Sequence, residues 1–310
     1  MSGPKIITTP PSPGLMSLVR RPSRGSALII GTLGVTLIAA LLFAATRGDQ
    51  HSTPRTTAGV DVGHIHGIGV DPGSDQLYIG AHLGTFSVTP EGTVQPVGVV
   101  RNDTMAFTVT GPGRFLASGH PEIGTDQPVH LGLIESRDAA ATWESVSLAG
   151  DADFHALDTA TGGRTWGADS ARGLLLTSTD TRSWDTVASG QFIDVAADPA
   201  GQDIALVTTG TGQLRFYDPT GTSTAVPDSP TLTFIDWAAP DLLVGLGPDG
   251  TVFASTSTAS SWERVGQVPG RPSALEVTDT GWYAASDQGL FSSTSSGSSW
   301  QPLFTYDSAP

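Results

Sequence analysis

Histidine is the residue type whose spacing in this sequence points most clearly to chemistry, because six of the seven histidines lie between residues 64 and 155. His64 and His66 form the string HIHG, and residues two apart on a β-strand point to the same face. Neutral imidazole is the commonest metal ligand in proteins. The pattern therefore predicts a metal or ligand site, and the alternative is that each ring is only hydrogen-bonded.

The elements that would position these rings form a repeat of about 40 residues. Four tryptophans set its period: Trp143, Trp184, Trp262 and Trp300 are spaced by 41, 78 and 38 residues, so the middle gap spans two units. Six units result, with starts near His64, Asp103, Asp153, Gln191, Leu232 and Arg271. Each unit contains short β-branched or aromatic strands separated by turn dipeptides. We predict an all-β, six-bladed β-propeller over residues 62–308, with a β-solenoid as the less favoured alternative.

In a propeller the first strand of each blade lines a central channel, and the loops before strand one and after strand two lie on one face. His155 aligns with His66 two blades later, while His82 and His120 each follow a second strand. The predicted metal ligands at the channel mouth are His64, His66, His82, His120 and His155. Imidazoles with a carboxylate suit one divalent transition metal ion such as Zn, Cu, Ni or Fe.

The second unit is the longest, and its extra length falls at residues 120–133, after its second strand. Long loops on a rigid scaffold commonly carry binding or catalytic residues. This segment is expected to place Glu122, Asp126 and His130 over the same mouth. Glu122 is accordingly the candidate catalytic residue if the protein is an enzyme.

Each of the four tryptophans closes a similar octapeptide. The copy at 136–143, SRDAAATW, resembles the Asp-box or BNR repeat, S-x-D-x-G-x-[ST]-W, and the other copies carry Thr179, Ser257 or Ser295 in place of the aspartate. The resemblance implies a structural role on the rim of the propeller. The residues assigned to it are Ser136, Asp138, Trp143, Trp184, Trp262 and Trp300.

The strings HIHG, SGHP and FHAL are also similar to those of exported bacterial BNR-type propellers that are often labelled glycosyl hydrolases, over roughly residues 62–305. This resemblance implies that the protein belongs to the sialidase-like superfamily and shares a pocket with those propellers. Sialidases use an arginine triad that usually begins in an Arg-Ile-Pro-like motif, and no arginine here is followed by Ile-Pro. Sialidase chemistry is therefore disfavoured, and whether the protein is an enzyme stays open.

Charge and composition restrict the function classes further. The net charge of −15 argues against nucleic acid as a partner, because phosphate binding needs clustered Lys and Arg. The absence of cysteine excludes disulfides, thiolate metal sites and a cysteine nucleophile.

The charge is also segregated along the chain. Residues 1–46 contain four basic residues and no acidic one, and residues 27–46 form an apolar stretch of 20 residues, long enough to span a bilayer. We predict a cytoplasmic disordered tail at 1–25, a single transmembrane helix at 26–46 and a linker at 47–61. Basic residues on the N-terminal side place the propeller outside the cytoplasmic membrane. A cleaved signal peptide is the alternative.

The leading hypothesis is a membrane-anchored extracytoplasmic propeller that binds a ligand, a metal or an envelope partner, such as a glycan or an envelope protein, at the His-lined mouth. The first alternative is a glycosyl hydrolase of the Asp-box type, with Glu122 or a channel aspartate as its acid. The second alternative is a structural assembly factor that binds no small ligand.

Mass spectrometry of the mature N-terminus tests the anchor. We expect the apolar segment to be retained with the protein in the membrane fraction, because its length matches the hydrocarbon core. A mature chain that begins near Thr46 would instead identify a cleaved signal peptide.

Overall fold

The computed structural model describes residues 59–306. The predicted tail, the predicted transmembrane helix and most of the predicted linker lie outside the described residues. Within the described range, no helix has the length and apolar character needed to cross a bilayer.

The described chain consists of β-strands arranged in six four-stranded antiparallel sheets, each made from four consecutive strands. The first sheet contains β1 Ile65–Asp71, β2 Gln76–Ala81, β3 Gly84–Val88 and β4 Val94–Pro96. The second contains β5 Asp103–Gly111, β6 Arg114–His120, β7 Leu133–Ser136 and β8 Glu144–Ser147. The third contains β9 Phe154–Thr159, β10 Thr165–Asp169, β11 Leu174–Ser178 and β12 Asp185–Ser189.

The remaining three sheets follow the same pattern. The fourth sheet contains β13 Phe192–Ala197, β14 Ala205–Thr209, β15 Leu214–Tyr217 and β16 Ser223–Ala225. The fifth contains β17 Phe234–Ala239, β18 Leu242–Leu246, β19 Thr251–Ser255 and β20 Glu263–Gln267. The sixth contains β21 Pro272–Val277, β22 Trp282–Ser286, β23 Gly289–Ser293 and β24 Gln301–Thr305.

The first strands of the six sheets lie side by side in a closed ring, in which β21 packs beside β1. This arrangement is a six-bladed β-propeller and confirms the predicted all-β fold. Each first strand begins within two residues of its predicted start; Asp103, for example, is the first residue of β5. The extra length of the second unit forms the connection between β6 and β7.

Apolar packing between neighbouring sheets holds the ring together. The buried hydrophobic residues form six clusters within the described chain, and each cluster combines side chains of two adjacent sheets. The cluster between the sixth and first sheets contains Phe304 and Ile79, both almost fully buried. The hydroxyl of Tyr306 also donates a hydrogen bond of 2.9 Å to the carbonyl oxygen of Gly63. The last strand is therefore tied to the first sheet.

The octapeptides form tight turns whose polar side chains bond the turn backbone. In the first copy Ser136 Oγ accepts the N–H of Ala140 at 2.8 Å, and Asp138 Oδ1 accepts the N–H of Thr142 at 2.8 Å. Ser257 and Ser295 take the place of the aspartate in two later copies, and each accepts the N–H four residues on, at 3.1 Å. Each closing indole packs against the cluster between its own sheet and the preceding one.

The second copy differs from its sequence interpretation, in which Thr179 occupied the aspartate position. Asp180 instead accepts the N–H groups of Arg182 at 2.8 Å and Ser183 at 2.7 Å, and Ser178 donates to it. The second copy has one residue fewer between Asp180 and Trp184 than the first copy has between Asp138 and Trp143. The aspartate consequently stands one position later in the octapeptide.

Four inner strands carry a carboxyl group that bonds the next blade. Asp158 accepts the N–H of Ala197 at 2.7 Å, and Asp194 accepts that of Ile235 at 2.8 Å. Asp236 and Glu276 continue the series, with the N–H groups of Val277 and Val70 as their donors. The last of these bonds runs from the sixth blade to the first. Carboxyl groups thus link successive inner strands over more than half of the ring.

Burial raises the pKa of these four carboxyl groups. Desolvation is the main cause in all four, and backbone N–H donors oppose it. The negative charge of neighbouring acids raises the pKa of Asp194, Asp236 and Glu276 further. The pKa of Asp194 rises to about 7 and that of Asp236 to about 8. Asp158 and Glu276 shift in the same direction.

These shifts predict a pH-dependent stability. A carboxyl whose pKa is raised in the folded state contributes most stability below its unfolded pKa and loses that contribution as the pH rises towards the folded value. We expect Asp194→Asn to lose less unfolding free energy than the wild type between pH 5 and pH 8, by on the order of 2 kcal/mol.

Urea denaturation at the two pH values measures this difference. The matched control is Asp185→Asn, which removes an exposed carboxylate on β12 and should leave the pH profile unchanged. If the unfolding free energy of the wild type and of Asp194→Asn changed equally with pH, burial would not raise the pKa of this inner-strand carboxyl group as described.

Candidate functional site

Two aspartates at the start of neighbouring inner strands organise the histidines. Asp103 is the first residue of β5, and its side chain retains only 20% exposure. His82 Nδ1 lies 3.0 Å and His120 Nδ1 3.6 Å from its Oδ2, while His66 Nε2 lies 3.8 Å from its Oδ1. Three imidazoles from the first two blades therefore surround one carboxylate.

Asp153 directly precedes β9, and its side chain is 8% exposed. Its Oδ2 lies 3.0 Å from His155 Nε2, 3.6 Å from His120 Nε2 and 3.9 Å from His130 Nδ1. His120 thus faces both aspartates, one with each ring nitrogen. We call the seven residues the histidine–aspartate cluster: His66, His82, Asp103, His120, His130, Asp153 and His155.

Backbone and side-chain hydrogen bonds hold Asp153 in place. Its own N–H donates to Asp169 Oδ1 at 3.1 Å, and the hydroxyl of Ser170 donates to its Oδ2 at 3.2 Å. The carboxylate is therefore oriented by the loop that follows β10.

Two groups in the cluster have the composition and spacing of metal ligand sets. In each, one ligand atom per residue lies within 4.8 Å of the others. The groups are His66, His82 and Asp103, and His120, His130 and Asp153. Each contains two imidazoles and one carboxylate, a combination that suits Zn, Cu, Ni or Fe.

Several polar atoms of the cluster are buried without a hydrogen-bond partner. They are His66 Nε2, Asp103 Oδ1, His130 Nδ1 and Asp153 Oδ1, and the other such side-chain atoms in the described chain are indole nitrogens. Buried polar atoms in proteins nearly always have a partner, and exceptions commonly mark an ion or a water. Each group of ligands contains one such nitrogen and one such oxygen.

The two aspartates are held in the charged form. Burial by itself would raise the pKa of Asp103, but hydrogen bonds from His120 and His82 bring it well below its usual value. Burial likewise opposes ionisation of Asp153, and the hydrogen bond and charge of His155 lower its pKa. Both carboxylates therefore stay negative at neutral pH.

The histidines respond in opposite directions. The hydrogen bond with Asp103 raises the pKa of His82 and of His120, against the effect of burial. Burial lowers the pKa of His66 to about 4 despite the charge of Asp103. His66 is therefore neutral at pH 7 and keeps a nitrogen lone pair available for a ligand.

Gly119 allows His120 to approach Asp103. It precedes His120 in β6 with a φ of +142°, and a Cβ at this position would lie 1.9 Å from the carbonyl oxygen of Asp103. Its own carbonyl accepts the N–H of Leu131 at 2.9 Å, which fastens the far end of the long β6–β7 connection. His130 immediately precedes that anchor point.

Four of the five predicted metal ligands lie in the cluster: His66, His82, His120 and His155. The fifth, His64, is exposed, and its ring centroid lies 6.3 Å from that of His66. Neither His64 nor His155 belongs to a closely spaced ligand group, but His155 contacts Asp153 at 3.0 Å. His130, which was expected above the same site, belongs to the second group.

The carboxylates of the long connection lie apart from both ligand groups. Glu122 Oε2 accepts the backbone N–H of Arg101 at 3.2 Å, and the N–H of Glu122 donates to the side chain of Asn102. Asp126 is exposed. Glu122 therefore anchors the connection to the segment before β5.

Sequence reasoning missed the roles of Asp103 and Asp153, although a signal was present. When the first strands of the blades are aligned, Asp103 and Asp153 occupy the position that His64 has in the first blade. That position lies two residues before the position of His66. A polar residue at the same position in three successive blades could have indicated a shared site.

A cavity of about 90 Å³ lies between the six inner strands, next to the cluster. His66 and His155 line it, together with the four linked carboxyl groups of the later blades, which are Asp158, Asp194, Asp236 and Glu276. The cluster and the ring of carboxyls therefore share one polar space.

Comparisons with known proteins identify the fold. No family model and no curated protein matches the chain. A GH74 xyloglucanase from Xanthomonas campestris is 15% identical with a TM-score of 0.53, over 81% of this chain but only 38% of the xyloglucanase. This chain therefore spans well under half of that enzyme.

Two further solved structures are similar along most of their length. Virginiamycin B lyase from Staphylococcus aureus is 12% identical with a TM-score of 0.54, over 77% of this chain and 84% of the lyase. YCF48, solved bound to D1 peptide, is 12% identical with a TM-score of 0.50, over 80% and 79% of the two chains. At these identities the likeness supports the propeller fold alone.

The geometry around Gly119 generates a prediction. We expect Gly119→Ala to reduce the unfolding free energy by on the order of 3 kcal/mol, because the new methyl group would collide with the backbone of Asp103 at a φ that L-residues disfavour. Urea denaturation measures the loss. Gly162→Ala is the matched control, since a Cβ there meets no atom within 4 Å. Equal stability of the two variants would contradict the constraint.

Proposed function

We propose that the protein is a membrane-anchored, extracytoplasmic propeller that binds a divalent transition metal at the histidine–aspartate cluster. The observation that carries the proposal is the presence of two His–His–Asp groups with closely spaced ligand atoms. The predicted anchor at 26–46 and the positive charge before it support the location.

The spacing of the ligand atoms fits a small coordination sphere. Zinc–nitrogen and zinc–oxygen bonds are about 2.0–2.2 Å long, so neighbouring ligands of a tetrahedral ion are about 3.3 Å apart. The nitrogen–oxygen distances around Asp103 run from 3.0 to 3.8 Å and those around Asp153 from 3.0 to 3.9 Å. Small rotations of these side chains would bring either set into contact with one ion.

Charge and donor type narrow the choice of metal. Two carboxylates held in the negative form favour a cation, and imidazole donors favour Zn or Cu over Ca or Mg, which prefer oxygen. The unpartnered atoms His66 Nε2 and Asp103 Oδ1 would gain the partner that burial otherwise denies them. The absence of cysteine leaves nitrogen and oxygen as the donors.

The glycosyl-hydrolase alternative has less support from the site. Ligand pockets for drug-sized molecules enclose roughly 300–1,000 Å³, whereas the central cavity encloses about 90 Å³, which suits an ion and a few waters. The carboxylate of Glu122 is engaged by the N–H of Arg101. The metal-binding function therefore accounts for more of the observed geometry than a carbohydrate site does.

Metal analysis of the full-length protein tests the proposal. After incubation with Zn(II) or Cu(II) and removal of free ion, we expect stoichiometric metal by mass spectrometry, together with a rise in melting temperature because binding favours the folded state. The double variant His66→Ala/His155→Ala should lose at least about tenfold in affinity, or 1.4 kcal/mol.

His51→Ala is the matched control, because His51 is the one histidine outside the group at 64–155. This variant should bind metal like the wild type. Wild-type protein without stoichiometric metal, or an unchanged affinity in the double variant, would refute the proposal. Turnover of an aryl glycoside that Glu122→Gln abolishes would favour the hydrolase instead.

A further inference from the structure

We infer that the histidine–aspartate cluster is a binuclear metal centre in which the imidazole of His120 bridges the two ions. The inference rests on the proposed metal-binding function and adds the number of ions, their ligands and the group between them.

The position of His120 is the first argument for a bridge. Its Nδ1 lies 3.6 Å from Asp103 Oδ2, and its Nε2 lies 3.6 Å from Asp153 Oδ2. The two nitrogens of an imidazole point away from each other, so one ring can serve two sites only from between them. The equal distances place His120 between the two carboxylates.

The second argument is that the donors on the two sides are balanced. Asp103 is accompanied by His66 and His82, and Asp153 by His130 and His155. With one nitrogen of His120 added, each side offers one carboxylate and three imidazoles. The closely spaced donors are His66, His82 and Asp103 on one side and His120, His130 and Asp153 on the other. His120 on the first side and His155 on the second would be the fourth donor of the tetrahedral sphere that zinc prefers, once their rings rotate towards the ion.

The unpartnered atoms are also divided between the two sides. His66 Nε2 and Asp103 Oδ1 lie on one side, and His130 Nδ1 and Asp153 Oδ1 on the other. A single ion would give partners to one pair and leave the other buried and unsatisfied, which is unfavourable. Two ions give partners to both pairs.

The second side depends on the extra length of the second unit. The β6–β7 connection supplies His130, whereas β2 and β3 of the first unit are joined through only His82 and Leu83. The N–H of Leu131 donates to the carbonyl of Gly119 at 2.9 Å and so joins the two ends of that connection. The insertion therefore brings the ligand that completes the Asp153 side.

Bridging requires a definite proton balance. A neutral imidazole carries one N–H proton, and it can bind an ion through each nitrogen only after that proton leaves. The proton passes to solvent as the second metal–nitrogen bond forms, and no electrons are transferred. Binding of the second ion should therefore release one more proton than an unbridged ion would, and should weaken as the pH falls.

Titration of the full-length protein with Cu(II), followed by electron paramagnetic resonance at low temperature, tests the inference. We expect two ions per chain and a loss of copper signal at full loading, because two Cu(II) ions joined by an imidazolate couple antiferromagnetically. His82→Ala and His130→Ala should each bind one ion with an uncoupled signal. His120→Ala should abolish the coupling and weaken both sites by at least about tenfold.

The outcomes separate this inference from the proposed function. One ion per wild-type chain, or two ions with the full uncoupled signal, would overturn the bridged centre and leave metal binding intact. No bound ion would overturn both. His51→Ala should reproduce the wild-type stoichiometry and coupling, and circular dichroism of each variant shows whether it remains folded.

Discussion

Apolar contact between adjacent sheets is the interaction on which the molecule depends. The chain contains no cysteine, so no disulfide closes the ring, and each sheet buries its apolar faces only when both neighbours are present. The cluster shared by the sixth and first sheets completes the circle and includes the buried side chain of Phe304. Because this packing is continuous, the inner strands are held rigidly enough to position polar groups at short range.

Ring closure has an electrostatic consequence for the inner strands. Their side chains converge on a narrow polar space, where carboxyl groups lose water and approach one another. On one side of the ring, Asp194 and its equivalents meet backbone N–H groups and take raised pKa values. On the other, Asp103 and Asp153 meet histidines and stay charged. One geometry thus produces two kinds of carboxyl, and the charged kind marks the candidate metal site.

The fold was predictable because its signals are local and repeated. Tryptophans about 40 residues apart, strand-length apolar segments and turn dipeptides recur in each unit, so an error in one unit is corrected by the others. The turn at Thr179 shows the limit of this approach. It is one residue shorter, and Asp180 accepts the backbone N–H groups there, so a fixed octapeptide pattern selects the wrong residue. For the site, the histidines were identifiable by type and alignment, whereas the partners Asp103 and Asp153 were not selected among 30 acidic residues.

The sequence by itself determined the number of blades, the composition of the strands and the concentration of histidine in the first three units, because these depend on periodicity and residue type. Only the tertiary structure decided which polar atoms meet. His120 and Asp153 are far apart in the chain and come within 3.6 Å because the second and third blades are neighbours in the ring. His64, next but one to His66, is exposed and belongs to neither ligand group. Proximity between blades follows from packing, which no local pattern encodes.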